Sequence, residues 1–185
     1  MARWERDAPG RLARAALELF GERGYEQTTV AAIAERAGVT ERTFFRHYAD
    51  KREVLFDGSN ALQQVVVASV AEAPASAEPA DLVGAAVAAG GALLAERRDF
   101  ARQRAAVIAA EPGLQERELL KLERMTAAVA EALRARGIAD VDAELLARAG
   151  VAAFHLGFAR WLVEEGDGLD AGILAAYARL RRLVA

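Results

Sequence analysis

Apolar residues recur at intervals of three and four along most of the chain, the spacing of one face of an α-helix. Leu12, Ala16, Leu19 and Phe20 mark the first stripe, over about Gly10 to Arg23, and Gly24 is placed to end it in a left-handed conformation. A second, shorter stripe of Val30, Ile33, Ala34 and Ala37 comes after Thr28-Thr29, either of which can cap it. Ala37-Gly38-Val39 breaks the period, Thr40 offers a new cap, and a third helix sets Phe44 and Tyr48 one turn apart on one side. Asp50, with Glu53 three residues on, predicts a fourth helix reaching about Ala73. The proline-bounded stretch Pro74–Pro79 ends that helix. Five further helical patterns complete the chain: about Ala80 to Arg97, one from about Phe100 that ends before Glu111-Pro112-Gly113, a long one on to about Arg136, Asp142 to Glu165, and one at the C-terminus, with Gly137 and Gly166 as stops. The pattern predicts an all-α fold of about nine helices. A three-helix head occupies residues 1–50, and a helical body occupies residues 51–185.

Composition agrees. Hydrophobic residues make up 54% of the 185, enough for a core, and alanine dominates over β-branched and aromatic types. All four prolines fall where helical patterns break. With no cysteine and two histidines, disulfides, thiolate chemistry and a metal site all lack their residues, and no cofactor is expected. No nucleophile–base pair or phosphate loop points to an enzyme. The longest apolar stretch, Leu82 to Ala95, is short for a bilayer, and the N-terminus, with Arg3, Arg6, Arg11 and Arg14 among acids, lacks a signal-peptide block. These features predict a cytoplasmic protein with no membrane partner.

Net charge is −3, which by itself does not point to nucleic acid. Distribution changes the picture slightly: residues 1–57 hold ten basic and ten acidic side chains, so the excess of acid lies beyond them. On the third helix Arg42 and Arg46 project opposite Phe44 and Tyr48. Thr43 and His47 share one flank, and Glu41 and Phe45 the other. Two short helices joined by a glycine turn, the second with a narrow buried edge and a broad polar face, describe a helix-turn-helix. On that reading Arg42 can donate two hydrogen bonds to a guanine, and Thr29, Thr40, Thr43 and His47 can reach phosphates.

The stretch LFGERGYEQTTVAAIAERAGVTERTFFRHYADKREVLF resembles the DNA-binding head of the tetracycline-repressor (TetR) family of regulators. The likeness rests on the phenylalanine and Gly24-Tyr25 after helix one, on Thr-Thr-Val, Ile33-Ala34 and Ala37-Gly38-Val39, and on Thr43 before two aromatics, His47-Tyr48 and Lys51. It implies a homodimer that binds a palindromic double-stranded DNA operator through its third helix and is released by a small-molecule effector, most often acting as a repressor. It places Thr29, Thr43, His47 and Lys51 at phosphates, Glu41, Arg42 and Phe45 at base edges, and Phe44 and Tyr48 in the core. Two positions depart from the family. Phe45 stands where tyrosine is usual, so a phosphate hydrogen bond is lost and only ring packing remains. Glu41 brings a carboxylate to DNA, which requires a cytosine amine or Arg42 as partner. These departures keep a rival reading open, a helical small-molecule or protein-binding module with weakened or lost operator binding.

For the body, Leu145, Ala149, Ala152, Leu156 and Val163 on the eighth helix form one apolar stripe. Ile173, Leu174, Tyr177, Leu180 and Val184 on the ninth form another. Gly150, Ala153 and Gly157 offer a close approach to another helix, and together the stripes predict a two-fold four-helix interface, where the family dimerises. His155 and Trp161 read as core or interface residues. Phe100, Gln103, Met125 and Phe158 are candidate lining for an effector pocket, and the four arginines of residues 97–104 favour an apolar or anionic effector, or else a solvated face.

Overall fold

A computed structural model describes residues 8–57, 59–164 and 168–184. The expectations placed on Arg3, Arg6 and Gly166 lie outside the described residues. Among the described residues there are nine α-helices and no strand. They are α1 (Ala8–Arg23), α2 (Val30–Arg36), α3 (Glu41–His47), α4 (Ser59–Glu72), α5 (Pro79–Leu94), α6 (Arg98–Ala110), α7 (Pro112–Ala135), α8 (Asp140–Val163) and α9 (Leu169–Val184). Contacts divide the chain into two compact units, one of residues up to 59 with 102–118, the other of residues 60–101 with 119–185. The first unit therefore takes in the expected head and, from far along the chain, the corner between α6 and α7.

The first unit is built on α1, which buries Leu12, Ala16, Leu17, Leu19 and Phe20. Ile33 and Ala34 of α2 and Phe44 of α3 complete the core, and Tyr25 and Tyr48 close its edges. The turn between α2 and α3 depends on Gly38, whose φ of +66° is a conformation that a side chain disfavours. There Val39 N–H donates to the Ala34 carbonyl at 2.9 Å and Gly38 N–H to Glu35 at 3.0 Å, satisfying two carbonyls at the end of α2.

The expected fourth helix begins later than its sequence signal. Asp50 does act as a cap, its Oδ1 accepting from the backbone N–H of Arg52 at 2.8 Å and of Glu53 at 3.3 Å. The segment it caps, however, is a 3-10 turn, Glu53–Phe56, and α4 starts only at Ser59. Val54, Leu55 and Phe56 are all buried. A turn enclosed on several sides can bury three successive side chains, whereas a surface α-helix buries a single stripe.

In the second unit α5 is the central helix, packed on both α8 and α9. Its Leu82, Val83, Ala86 and Val87 are buried. A helical run continues through a 3-10 turn, Ala95–Arg97, so that Pro79–Ala110 spans 32 residues with a mean hydropathy of 1.3 in its most apolar window. The longer run revises the expectation of a stretch too short to matter, but its hydrophobicity has a use inside the protein, since 44% of that window is buried there. The small residues of α8 also serve the inside. A Cβ on Gly150 would lie 2.4 Å from Val83, and one on Gly157 would lie 2.9 Å from the backbone of Ile173. The close approach read from Gly150, Ala153 and Gly157 is thus taken by α5 and α9 of the same chain, which leaves the opposite side of α8 outward.

Candidate nucleic-acid interface

The seven residues of α3 are held from one side only. Phe44 is fully buried and Tyr48 nearly so, their rings 5.5 Å apart. Tyr48 Oη donates to the Pro9 carbonyl at 3.4 Å, which ties the end of α3 to the start of α1. Burial, with Asp57 close by, pushes the Tyr48 hydroxyl well above its ordinary pKa, so it stays a neutral donor. With its inner edge fixed, α3 turns Glu41, Arg42, Phe45, Arg46 and His47 to solvent, with Thr43 half-buried. Glu41 also sits in the first turn, where a carboxylate favours the positive end of the helix dipole.

The threonines divide their work. Thr29 caps α2, its hydroxyl accepting from Ala32 N–H at 3.1 Å. Thr28, the other candidate, is buried and donates to the carbonyls of Leu19 and Gly24, closing the loop after α1. Thr40 caps α3, accepting from Thr43 N–H at 3.2 Å, and the two hydroxyls are 3.1 Å apart. Thr29 and Thr40 are exposed, so each can still present its hydroxyl outward.

Lys51 behaves differently from the expectation of a helix-initial lysine directed at phosphate. It lies in a turn, half-buried, and its ammonium donates to the carbonyls of Tyr25 at 2.8 Å, Glu26 at 3.3 Å and Thr28 at 3.3 Å. It also sits 4.2 Å from the centre of the Tyr25 ring. Three N–H donors meet three carbonyls, so Lys51 holds the loop that presents Thr29. Other basic groups of this unit are likewise engaged internally. Arg36 pairs with Glu22 at 2.9 Å and Glu18 at 3.4 Å, and Arg11 donates to the Ala37 carbonyl at 3.0 Å. Arg52 pairs with Asp50 at 2.7 Å and holds its carboxyl below the usual carboxylate range. The exposed positive charge of the helix-turn-helix thereby concentrates on Arg42 and Arg46.

Periodicity gave no sign of a clamp on the turn after α3. The guanidiniums of Arg104 and Arg117 both lie over the buried Phe56 ring, at 5.0 and 5.1 Å from its centre. Arg117 makes a two-pronged pair with Glu53 at 2.8 and 2.9 Å. Arg104 pairs with Glu118 at 2.6 Å and donates to the Leu55 carbonyl at 2.6 Å. The corner between α6 and α7 is thus fastened to the segment just beyond α3. Two arginines and two glutamates spread over 66 positions leave no local pattern to read. Arg104 belongs to the arginine-rich stretch of residues 97–104, but its side chain is half-buried and engaged by Glu118 and the Leu55 carbonyl, while Arg97 and Arg102 of that stretch are exposed.

In the second unit the exposed side of α8 carries Leu145 (61% exposed), Leu156 (53%) and Val163 (76%), together with Ala152 and His155, while Ala149 is half-buried. The expectation for α9 needs correction. Ile173 and Tyr177 are buried within the chain, at 0% and 4% exposure, because they fill the spaces left by Gly91, Gly157 and Gly84. Leu180 is half-buried, and Leu174, Leu183 and Val184 form the outward apolar face. Among the candidate pocket residues, Met125 is buried and Phe100 and Phe158 are half-buried. Phe158 stacks on Phe154 at 6.2 Å and meets Trp161 at 5.9 Å, and Arg98 lies over the Trp161 ring at 5.6 Å. Gln103 is exposed, one turn beyond Phe100 on α6, and falls in the first unit.

A capped two-helix turn with an outward polar second helix, in a chain whose second unit is all-helical, defines a helix-turn-helix protein. The chain belongs to the tetR family of bacterial regulatory proteins: that family's profile matches residues 12–57, and the profile of the MftR C-terminal domain matches residues 77–185. It is 37% identical over 154 residues to the HTH-type transcriptional regulator TcmR of Streptomyces glaucescens. That alignment covers 77% of this chain and 66% of TcmR, so the chain spans just under two thirds of the relative. Among solved structures, FadR of Thermus thermophilus, a transcriptional repressor in complex with lauroyl-CoA, is 27% identical with a TM-score of 0.55, covering 95% of this chain and 93% of that one. SmeT, the repressor of a Stenotrophomonas maltophilia multidrug efflux pump, superposes in its triclosan complex with a TM-score of 0.67 at 20% identity, covering 96% and 91% of the two chains. At that identity the likeness speaks for the fold alone.

Proposed function

We propose that the protein is a cytoplasmic one-component transcriptional regulator, a repressor that binds a palindromic operator as a homodimer through α3 and is released by a small-molecule effector. The observation that carries this reading is α3 itself, anchored by Phe44 and Tyr48 and presenting Arg42, Arg46 and His47 outward. Arg42 reads guanine through its two-pronged donor geometry, and Thr29, Thr40, Thr43, Arg46 and His47 contact phosphates. Lys51 contributes indirectly, by fixing the loop before α2. The second copy docks on the outward side of α8, through Leu145, Ala149, Ala152, Leu156 and Val163, and on Leu174 of α9.

The effector is an apolar or anionic molecule admitted to the body near Met125, Phe158 and Phe100. FadR of Thermus thermophilus, a solved structure of similar fold in complex with lauroyl-CoA, a molecule with a long apolar chain and an anionic end, supports this. Release occurs if the effector binds the DNA-incompetent arrangement of the dimer more tightly than the competent one.

Selection of bound duplexes from random DNA, using the full chain, tests the reading. Enrichment of a palindrome with half-sites about one helical turn apart is the expected result. Arg42→Ala should then cost about 1–3 kcal/mol and relax the preference at one guanine per half-site. Failure to enrich any sequence would favour the alternative of a helical small-molecule or protein-binding module.

A further inference from the structure

Phe45 is the exposed aromatic of a polar helix face, with 55% of its surface open to solvent. Phe44 and Tyr48 account for the inner edge of α3, and Phe45 adds nothing to that edge, yet its ring is not loose. It meets the buried Phe44 ring edge-on, 5.5 Å between centres and 80° between planes, so a fixed side chain holds it in place. Arg42 precedes it by almost one turn, Arg46 is its immediate successor, and Glu41 lies one turn earlier on the same side. A phenyl ring neither donates nor accepts a hydrogen bond. On a helix that faces the major groove, it gains only from apolar surface, and the apolar group that a base edge presents there is the 5-methyl of thymine.

We infer that Phe45 is a specificity-determining residue that reads the thymine 5-methyl group, and that Glu41 on the same flank reads a cytosine amine beside it. This rests on the assignment of α3 as the DNA-facing helix. Glu41 is acceptor-only when ionised, and of the two base amines in the major groove, cytosine N4–H2 suits it better than adenine N6–H2, which has the N7 acceptor beside it. Four residues of α-helix rise about 6 Å, and base pairs stack about 3.4 Å apart, so the two contacts fall within about two base pairs. The flank therefore recognises a short pyrimidine-containing step, while Arg42 on the neighbouring face recognises guanine.

The test uses the full-length protein and the best duplex recovered by selection. Each thymine is replaced in turn by deoxyuridine, which removes the methyl and changes no hydrogen-bonding group. One thymine per half-site should show a loss of about fourfold in affinity, the value of one buried methyl-sized group. The Phe45→Ala variant should bind the thymine and deoxyuridine duplexes equally, and Phe45→Tyr, which keeps the ring, should retain the preference. Glu41→Gln should relax the requirement for cytosine within two base pairs of that thymine and leave the deoxyuridine penalty in place. Selective binding without a methyl-sensitive position, or a methyl preference that survives Phe45→Ala, overturns the inference and leaves the regulator reading standing. If no sequence is selected at all, the assignment of α3 falls and the inference with it.

Discussion

Two pairs of neighbouring residues, Phe44-Phe45 on α3 and Leu156-Gly157 on α8, resolve the choice between inside and outside in opposite ways. On α3 the buried member is a phenylalanine and the polar face around its exposed twin looks to solvent. On α8 the buried member is a glycine, and the leucine beside it is 53% exposed. A short helix gripped at one edge needs a bulky anchor, since Phe44 supplies the only fully buried side chain in α3. A long helix laid closely along α5 and α9 needs room instead, which Gly150 and Gly157 provide. Size is therefore no guide to burial by itself; the distance between neighbouring backbones decides which side chain can go in.

The sharpest way to break this contrast is to truncate the anchor. Phe44→Ala should destabilise the first unit by about 3–5 kcal/mol, the cost of removing a buried phenylalanine. Phe45→Ala should change stability by no more than about 0.5 kcal/mol, as an exposed position does. Urea unfolding monitored by circular dichroism measures both. Equal losses would show that Phe45 is a structural residue and not a presented one.

The α8 pair should respond in the reverse sense. Gly157→Leu forces a side chain against the backbone of Ile173 and should cost about 1–3 kcal/mol or more in the chain's own fold. Leu156→Glu should leave helicity unchanged and convert the proposed dimer to monomers, read by sedimentation at several concentrations, since on that proposal the defect lies between chains. A Leu156→Glu protein that sediments as the parent does would remove this side of α8 from the proposed interface.

The same contrast explains what was legible in the chain. The cap at Thr40, the Gly38 turn and the Phe44/Tyr48 edge are local, each decided by residues within one or two turns, so spacing alone located them, whereas it left Thr28 and Thr29 as alternatives for the cap of α2. The outward stripe of α8 was also visible as periodicity. Periodicity cannot say which of two opposite faces meets the same chain and which is left over. Hence Ile173 and Tyr177 read as interface when they fill the hollows above the glycines of α5 and α8. The clamp on Phe56 was invisible for another reason: its parts are ordinary charged residues of surface composition, and only the fold brings Arg104 and Arg117 to the turn that Glu53 begins.

That clamp offers a test of intermediate size. Arg117→Ala should destabilise the first unit by about 1 kcal/mol, a charged hydrogen-bond pair discounted for its partial exposure to water. Glu53→Gln in the same background should add little, since the pair is already broken, and a double-mutant cycle between the two isolates the coupling. Additive losses would mean that Arg117 acts through the Phe56 ring and not through Glu53. Protection of the amides of residues 53–56 from hydrogen exchange should fall in step with the coupling, because that turn lacks the regular bonding of an α-helix.

The smallest effect concerns the cap between α3 and that turn. Arg52 and the two backbone N–H groups hold the Asp50 carboxyl below its ordinary range in the folded protein. A depressed folded pKa adds stability that is present above the unfolded value of about 3.9 and is lost as pH falls through the folded one. Asp50→Asn keeps an acceptor for the cap and removes the titrating charge, so it should cost a few tenths of a kcal/mol near neutrality. Its stability should then fall less steeply than the parent's below about pH 4. Melting curves from about pH 6 down to about pH 3 compare the two across that window. Parallel curves would locate the acid sensitivity of this unit elsewhere, in the pair that Glu22 makes with Arg36, whose hydrogen bond holds that carboxyl below its ordinary range.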